Sequence, residues 1–438
     1  MELSELRAGV ASGAIDTVVV AITDMQGRLQ GKRFHAPFFL DTVLGHGAES
    51  CDYLLAVDVE MNTVDGYALS SWDSGYGDLA MRPDLGTLRP LPWLPGSVLV
   101  LADLEHPDGH PVEVSPRRIL QRQLGLLREA GYTAKAGTEL EFVLYRDSYP
   151  EAREAGYQGL RPATGYNVDY SILGTSPAEP LLRRIRTQMA AAGLSPESAK
   201  GECNLGQYEI AFRFDEALTT ADQHVLYKTG SKEIAAQEGM SLTFMAKPNQ
   251  REGNSCHIHF SLWAEEEAVT ERLLPRITAG LLATMRDFAL LYAPNINSYK
   301  RYQPGSFAPT ALRWGRDNRT CALRVVGHDV SLRVENRVPG ADVNPYLALA
   351  GMVAGALHGL LGAAPEQEEF AGNAYGSDSP VVPPTLRDAL ALWESSPLVK
   401  EAFGAEVAAH YANMARVELA AFDAAVTDWE LVRGFERL

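Results

Sequence analysis

Asn318-Arg319-Thr320-Cys321-Ala322-Leu323-Arg324-Val325-Val326-Gly327-His328-Asp329-Val330-Ser331-Leu332-Arg333-Val334-Glu335-Asn336-Arg337 sets four arginines around one glutamate. Its second half alternates, so an extended strand places Arg333, Glu335 and Arg337 on one face. Two guanidiniums flanking a carboxylate, with Arg319 and Arg324 upstream, suit a site where anionic phosphates meet a metal ion. A salt-bridged surface strand carries the same pattern, so the rest of the chain has to decide.

The 438 residues exceed one ordinary domain and predict a large body with a smaller satellite. A balance of 39 basic against 56 acidic residues, net charge -17, disfavours nucleic acid as a partner and favours metal ions or small cations. Cysteines at 51, 203, 256 and 321 form no C-x-x-C pair, so neither a disulfide framework nor a thiolate zinc site is indicated. The opening Met1-Glu2-Leu3-Ser4-Glu5 lacks the cationic start and apolar core of a signal peptide, and a cytoplasmic setting is expected. The apolar stretch from Tyr346 to Ala364 is Gly-rich and contains His358, which predicts a buried helix rather than a membrane span.

Apolar residues on both sides of Asp24-Met25-Gln26-Gly27 predict a hairpin over 16–34. Prolines cluster from 85 to 116 around a strand-like Ser97-Val98-Leu99-Val100-Leu101, marking the end of a small N-terminal domain near 110. Ser115-Pro116 opens one amphipathic helix that ends at Gly131, and Ser176-Pro177 opens another that ends at Gly193. Each is followed by a strand-like segment with acidic residues, so helices back a sheet whose other face is polar. Residues 384–438 are mostly helical in pattern.

Three further clusters carry chemistry. In Gly137-Thr138-Glu139-Leu140-Glu141-Phe142 the two glutamates share a strand face. Adjacent carboxylates repel unless water or divalent cations neutralise them. The second cluster is Glu202-Cys203-Asn204-Leu205-Gly206-Gln207-Tyr208-Glu209, and the third is Asn254-Ser255-Cys256-His257-Ile258-His259, with both histidines on one face. A lone histidine is more often a core hydrogen-bonder than a ligand, and a glutamate pair is usually a wet face.

Taken in order, these motifs resemble the glutamine synthetase family of type I architecture over nearly the whole chain. The resemblance adds Ser298-Tyr299-Lys300-Arg301 with Pro304-Gly305, and runs on to the closing Trp429-Glu430-Leu431-Val432-Arg433-Gly434-Phe435-Glu436-Arg437. It implies an α+β fold: a small N-terminal β-grasp domain over 1–109, and a glutamine synthetase/guanido kinase-like catalytic domain over 110–438 whose curved antiparallel sheet is backed by helices. It also implies a homo-oligomer, a dodecamer of two hexameric rings, with sites formed between neighbouring subunits.

By the same resemblance Glu141, Glu202 and Glu209 hold one divalent ion and Glu139, His257 and Glu335 the other, with Mg²⁺ expected and Mn²⁺ a substitute. Glu197, Phe214, His259, Ser261, Arg324 and Arg333 fall on ATP-contacting positions, and Arg319 would steady the transferred phosphoryl group. Glu141, Gly253, Arg301 and Arg337 fall where the amino-acid substrate, L-glutamate, is gripped, with Arg301 also counted among the catalytic groups. Family membership implies attack of the glutamate γ-carboxylate on ATP to give γ-glutamyl phosphate, which an amine displaces. Metal ions and arginines are needed to cancel the repulsion of carboxylate and polyphosphate.

The departures are informative. Pro304-Gly305-Ser306-Phe307-Ala308-Pro309 puts Phe307 where ammonia-using members carry a glutamate that closes the site and takes a proton from ammonium. The F-D-G-S-S segment that helps bind ammonium is absent, and Cys51-Asp52-Tyr53-Leu54-Leu55-Ala56-Val57-Asp58-Val59-Glu60-Met61 stands in its place. Glu252-Gly253 replaces an asparagine-glycine pair. Ala374-Tyr375-Gly376 resembles the segment of a modified tyrosine, but its surroundings differ and no modification of Tyr375 is expected.

A pocket that exchanges a carboxylate for an aromatic ring suits an amine with a carbon substituent. The expected activity is therefore a γ-glutamyl-amine ligase acting on a polyamine, ethanolamine or another small amine. An ammonia-using synthetase with a rebuilt site is the alternative, and a non-catalytic scaffold a more distant one. An alkylammonium with a pKa of about 10.4 is neutral only about once in two thousand molecules at pH 7, a handicap of roughly 4.6 kcal/mol. Among Asp52, Asp58 and Glu60 a proton acceptor is expected, and Asp58 is the residue taken for it.

Overall fold

The computed structural model describes residues 1–438. The Asp24–Gly27 turn joins Thr17–Thr23 to Leu29–His35 as an antiparallel hairpin, as its turn residues predict. Asp24 closes it, its Oδ1 accepting from the main-chain N–H groups of Gln26 and Arg28. Thr17–Thr23 then pairs in parallel with Ser97–Glu105, whose other flank takes Asp78–Pro83 and, beyond it, Ala48–Cys51. Every strand of this six-stranded sheet lies between residues 17 and 105.

A second sheet of ten strands draws all of its residues from 133 to 336. Its path runs Trp314–Arg316, Leu323–Val326, Arg333–Asn336, Cys256–Ala264, Thr133–Tyr145, Gln207–Phe212 and Pro196–Gly201. The pairing is antiparallel with one exception to the expected pattern: Trp314–Arg316 runs parallel to Leu323–Val326, so residues 317–322 must carry the chain back along the strand rather than simply reverse it. Ala217–Gln237 buries Val225, Leu226, Ile234 and Ala235.

Pro116–Glu129 starts on the expected Ser-Pro signal. The second such signal is less direct, since Ser176–Ala178 forms a 3₁₀ turn and the α-helix begins at Glu179, running to Ala191. The apolar stretch forms the helix Pro345–Leu360, buried along most of its length. It crosses Thr270–Thr284 so closely that a Cβ on Gly280 would fall 2.1 Å from the carbonyl oxygen of Gly355. No helix is long and apolar enough to cross a membrane.

The two sheets are stapled by charge. Arg117 is buried and donates to Asp84 and Asp103 of the first sheet's region and to Asp222 on Ala217–Gln237. Tyr346 adds its hydroxyl proton to Asp222, so both carboxylate oxygens of that buried residue are satisfied.

Candidate active site

The antiparallel register of the ten-stranded sheet lines up the acidic and basic residues row by row. Glu335 faces Arg324 on one side and His259 on the other, His257 faces Glu139, and Glu141 faces Glu209, which in turn faces Lys200. Because side chains alternate along each strand, Glu139 and Glu141 project to the same face as His257 and His259.

These residues border one cleft. Its lining includes Glu139, Glu141, Glu202, Glu209, Glu335 and His257, together with Gly253, Phe307, Arg319, Arg324 and Arg337. The structure thus brings together eleven of the residues singled out from sequence. Four others, Phe214, His259, Ser261 and Arg333, gather around a neighbouring cavity floored by Lys135 and Trp263. Glu139 joins the two spaces, lying 2.9 Å from His259 Nε2 and 3.3 Å from His257 Nδ1.

Three sets of donor atoms each converge within 4.8 Å: those of Glu141, Glu202 and Glu209, those of Glu139, His259 and Glu335, and those of Asp169, Glu202 and Cys203. In the first set the carboxylates are driven towards protonation. Burial and the Glu202 charge push Glu141 up to about 8. Glu209 is raised well above the usual carboxylate range by burial and by the charges of Glu139 and Glu141. Burial also raises Glu202, against the pull of the Lys200 ammonium. Like charges facing each other across adjacent strands are destabilising, and this trio answers the donor chemistry of a hard divalent cation.

The second set needs its histidine reassigned. Arg333 Nε donates to His259 Nδ1 at 3.0 Å, so the neutral imidazole carries its proton on Nε2 and gives it to Glu139. His259 therefore has no lone pair to offer. His257 does: Nδ1 lies 3.3 Å from Glu139 and 3.5 Å from Glu335, while its buried Nε2 has no partner. Burial and the Arg337 charge lower its pKa to about 4, which keeps the ring neutral and free to ligate. Burial disfavours the charge of Glu139, but hydrogen bonding to His257 and His259 holds it well below the usual carboxylate range. Glu335 is fully buried, which disfavours its charge, but its neighbours, the Arg337 guanidinium among them, hold it below the usual carboxylate value.

The arginines divide by freedom. Arg324 donates to Glu335 at 2.9 Å and to Asp317 at 3.0 Å. Arg319 is exposed and touches only Asp317, at 3.9 Å. Arg337 is buried, with Nη1 on Glu335, Nη2 on the Phe307 carbonyl and Nε unpartnered. Phe307 itself is exposed and held at φ 58, a left-handed conformation unusual for an aromatic residue.

Several sequence expectations are not met by the geometry. Arg301 does not line the cleft: it is buried, donating to the Val338 carbonyl and to Ser255 Oγ, both at 2.9 Å. Gly253 is a glycine because a Cβ there would lie 2.6 Å from Arg301 Cγ and 2.5 Å from the Ala246 oxygen. Asp58 does not line it either. Its Oδ1 accepts from the N–H groups of Glu60 and Asn62, and its Oδ2 from the Asn62 amide, so the carboxylate closes a turn. Asp52 is buried under Ser70, and Glu60 is exposed outside the cleft. Glu197 lies exposed at a bulge in Pro196–Gly201, outside both cavities.

Sequence reasoning missed other lining residues. Gln207 Nε2 bridges Glu141, Gly253 and Asn254, fixing the glutamate's rotamer. Lys200, two residues before Glu202 in extended chain, was readable by the same-face rule. Asp169 and Tyr170 lie in an irregular loop with no period to reveal them.

The family described as glutamine synthetase, catalytic domain, matches residues 113–433. The chain is 65% identical to the γ-glutamylethanolamide synthetase GlnA4 of Streptomyces coelicolor over 100% of its own length and 96% of that protein. It is 34% identical to a glutamate–isopropylamine ligase from a Pseudomonas species, covering 99% and 97% of the two chains. A solved GmaS/ADP complex superposes with a TM-score of 0.85 at 25% identity, over 98% of this chain and 99% of that one.

Proposed function

The chain belongs to the glutamine synthetase family, and on that premise we propose that it is an ATP-dependent ligase joining the γ-carboxylate of L-glutamate to a small organic amine through γ-glutamyl phosphate. The observation that carries this reading is a single cleft where carboxylate-rich donor sets, three arginines and the ring of Phe307 meet. The names of the two relatives support an organic amine over ammonia, and ethanolamine is the first candidate by the higher identity.

The donor sets fit divalent cations. Glu141, Glu202 and Glu209 would hold one and Glu139, His257 and Glu335 the other, with Mg²⁺ favoured by the oxygen-rich sets and Mn²⁺ a substitute. Bound there, the ions supply the positive charge that lets a carboxylate approach a polyphosphate.

The chain's own groups do the rest. Arg319, nearly free of partners, turns to the oxygens of the transferred phosphoryl group, and Arg324 backs it. The cavity of Phe214, His259, Ser261 and Arg333 takes the ATP side. Arg337 lines the cleft and presents its guanidinium to the glutamate carboxylate, and Gln207 holds Glu141 nearby. Arg301 acts from beneath, fixing Ser255 and the Val338 carbonyl. Phe307 covers the alkyl part of the amine.

A dodecamer of two hexameric rings belongs to the same reading. Trp429 and Val432 stand exposed on the terminal helix Asp428–Gly434, with exposed Phe435 just after it, apolar surface suited to another copy. The four free cysteines accord with a reducing, cytoplasmic setting.

The test is phosphate release from ATP with Mg²⁺ and glutamate against ethanolamine, isopropylamine, putrescine and ammonium, with mass detection of products. Turnover with an organic amine above ammonium is expected. A clear preference for ammonium overturns the organic-amine reading.

A further inference from the structure

Seven carboxylates border the cleft, and five of them belong to the two sets assigned to cations above, while Asp169 groups with Glu202 and the Cys203 thiol. Asp169 and Glu252 remain. Glu252 sits on the exposed 249–253 turn, where its main-chain carbonyl accepts from Asn204. Asp169 has a different environment. Its Oδ1 lies 3.6 Å from Lys200 Nζ, and its Oδ2 accepts from the Cys203 thiol at 3.6 Å. The same ammonium stands 4.4 Å from the centre of the Tyr170 ring and is paired with Glu202.

A primary ammonium on an alkyl stem is thus already seated at this wall, and it is the chain's own. Lys200 reproduces the chemistry of the expected nucleophile: one cationic nitrogen, three donors and a methylene chain. We propose that Asp169 is the residue that selects a primary alkylammonium substrate, pairing with it at the place Lys200 Nζ takes in this structure. The proposal rests on the ligase reading above and names the carboxylate that receives the amine, which none of Asp52, Asp58 and Glu60 of this chain is placed to do.

Glu202 cannot serve both the amine and a cation. Once its oxygens turn to a divalent ion, Lys200 is held only by Asp169, at 3.6 Å, and the incoming ammonium takes its place on that carboxylate by displacing it. The Tyr170 ring beside it favours a cation over a neutral nucleophile.

The test compares two nucleophiles in Asp169→Asn. An alkylamine such as ethanolamine arrives as a cation at neutral pH, whereas hydroxylamine arrives neutral. The substitution is expected to raise the KM for ethanolamine about tenfold or more while the KM for hydroxylamine moves less than about twofold, the difference being one charge-assisted contact. Asp169→Glu, which keeps the charge, is expected to restore most of the ethanolamine preference. Equal losses with both nucleophiles would mean a structural role, and no loss with either would mean no role; both results overturn the proposal. Absence of alkylamine-dependent phosphate release in the unsubstituted enzyme would instead remove the ligase reading, and this assignment with it.

Discussion

Arg337 donates through Nη2 to the main-chain carbonyl of Phe307 at 3.3 Å and through Nη1 to Glu335. One guanidinium therefore ties the aromatic lip of the cleft to the buried carboxylate at its floor. Tyr375 reinforces the lip by donating to the neighbouring Ala308 carbonyl at 3.0 Å. The ring of Phe307 is held at positive φ by this support, at a conformational cost on the order of 1 kcal/mol. Phe307→Gly is expected to relieve that strain and raise the melting temperature while weakening the preference for alkylamines. Phe307→Glu is expected to lower the ratio of kcat/KM for ethanolamine to that for ammonium by about tenfold or more, since one methylene-sized apolar contact is lost per carbon covered. An unchanged ratio in both variants would exclude the ring from amine selection.

The Glu141, Glu202 and Glu209 trio gives the metal-free protein a specific pH dependence. Each has a folded-state pKa above its ordinary value, so folding takes up protons there. Stability of the metal-free protein is greatest below the ordinary carboxylate pKa of 4.5 as far as this trio is concerned, and it declines as pH rises from there through about 8. Saturating Mg²⁺ should flatten that decline by pairing the ionised carboxylates. Thermal melts between pH 6 and pH 8, with and without Mg²⁺, measure both slopes. Glu209→Gln is expected to be at least as stable as the parent without metal and to lose the Mg²⁺-dependent gain. A parent protein whose melting ignores Mg²⁺ would contradict the assignment of the trio.

Arg319 offers a clean separation of rate from stability. Its exposed guanidinium touches the chain only at Asp317, so Arg319→Ala should change unfolding by no more than about 0.5 kcal/mol. The turnover number should nonetheless fall about 100- to 1,000-fold if the side chain stabilises the transferred phosphoryl group. Steady-state kinetics paired with urea unfolding make the comparison, and a loss of rate smaller than tenfold, about 1.4 kcal/mol, would assign phosphoryl stabilisation elsewhere.

Arg117 makes the opposite case. Replacing it by methionine leaves Asp222 buried with one partner removed and releases Asp84 and Asp103. The expected loss is about 3–5 kcal/mol. Because its partners come from both sheets' regions, proteolysis near residues 106–115 should accelerate in the variant. A loss under about 1 kcal/mol would show that the network contributes little beyond its geometry.

What could be read from sequence was what neighbouring residues decide. The Asp24–Gly27 turn and the Ser115-Pro116 helix start carry their own instructions, and the same-face placement of Glu139 with Glu141 follows from the pleat alone. The partners of a charged group are another matter. Arg301 reads as a ligand-gripping residue, yet tertiary packing commits it to Val338 and Ser255. Asp58 reads as a free base, yet the turn at 58–62 consumes it. Asp169 is brought to the cleft by a loop in which Tyr170 adopts φ 53, and no periodicity announces such a position.

Glu139 and Glu141 belong to different cation sets but to one strand, Thr133–Tyr145, two residues apart. The separation of their Cα atoms is therefore a property of the pleat, about 6.7 Å, and not of any loop. Neither ion position can drift without the other. A bulge inserted ahead of Glu139 would move both carboxylates in concert, and one inserted between them would turn one away altogether. The rim, where Phe307 and Asp169 sit on loops, is free of that constraint, whereas the floor behaves as a ruler with only one spacing.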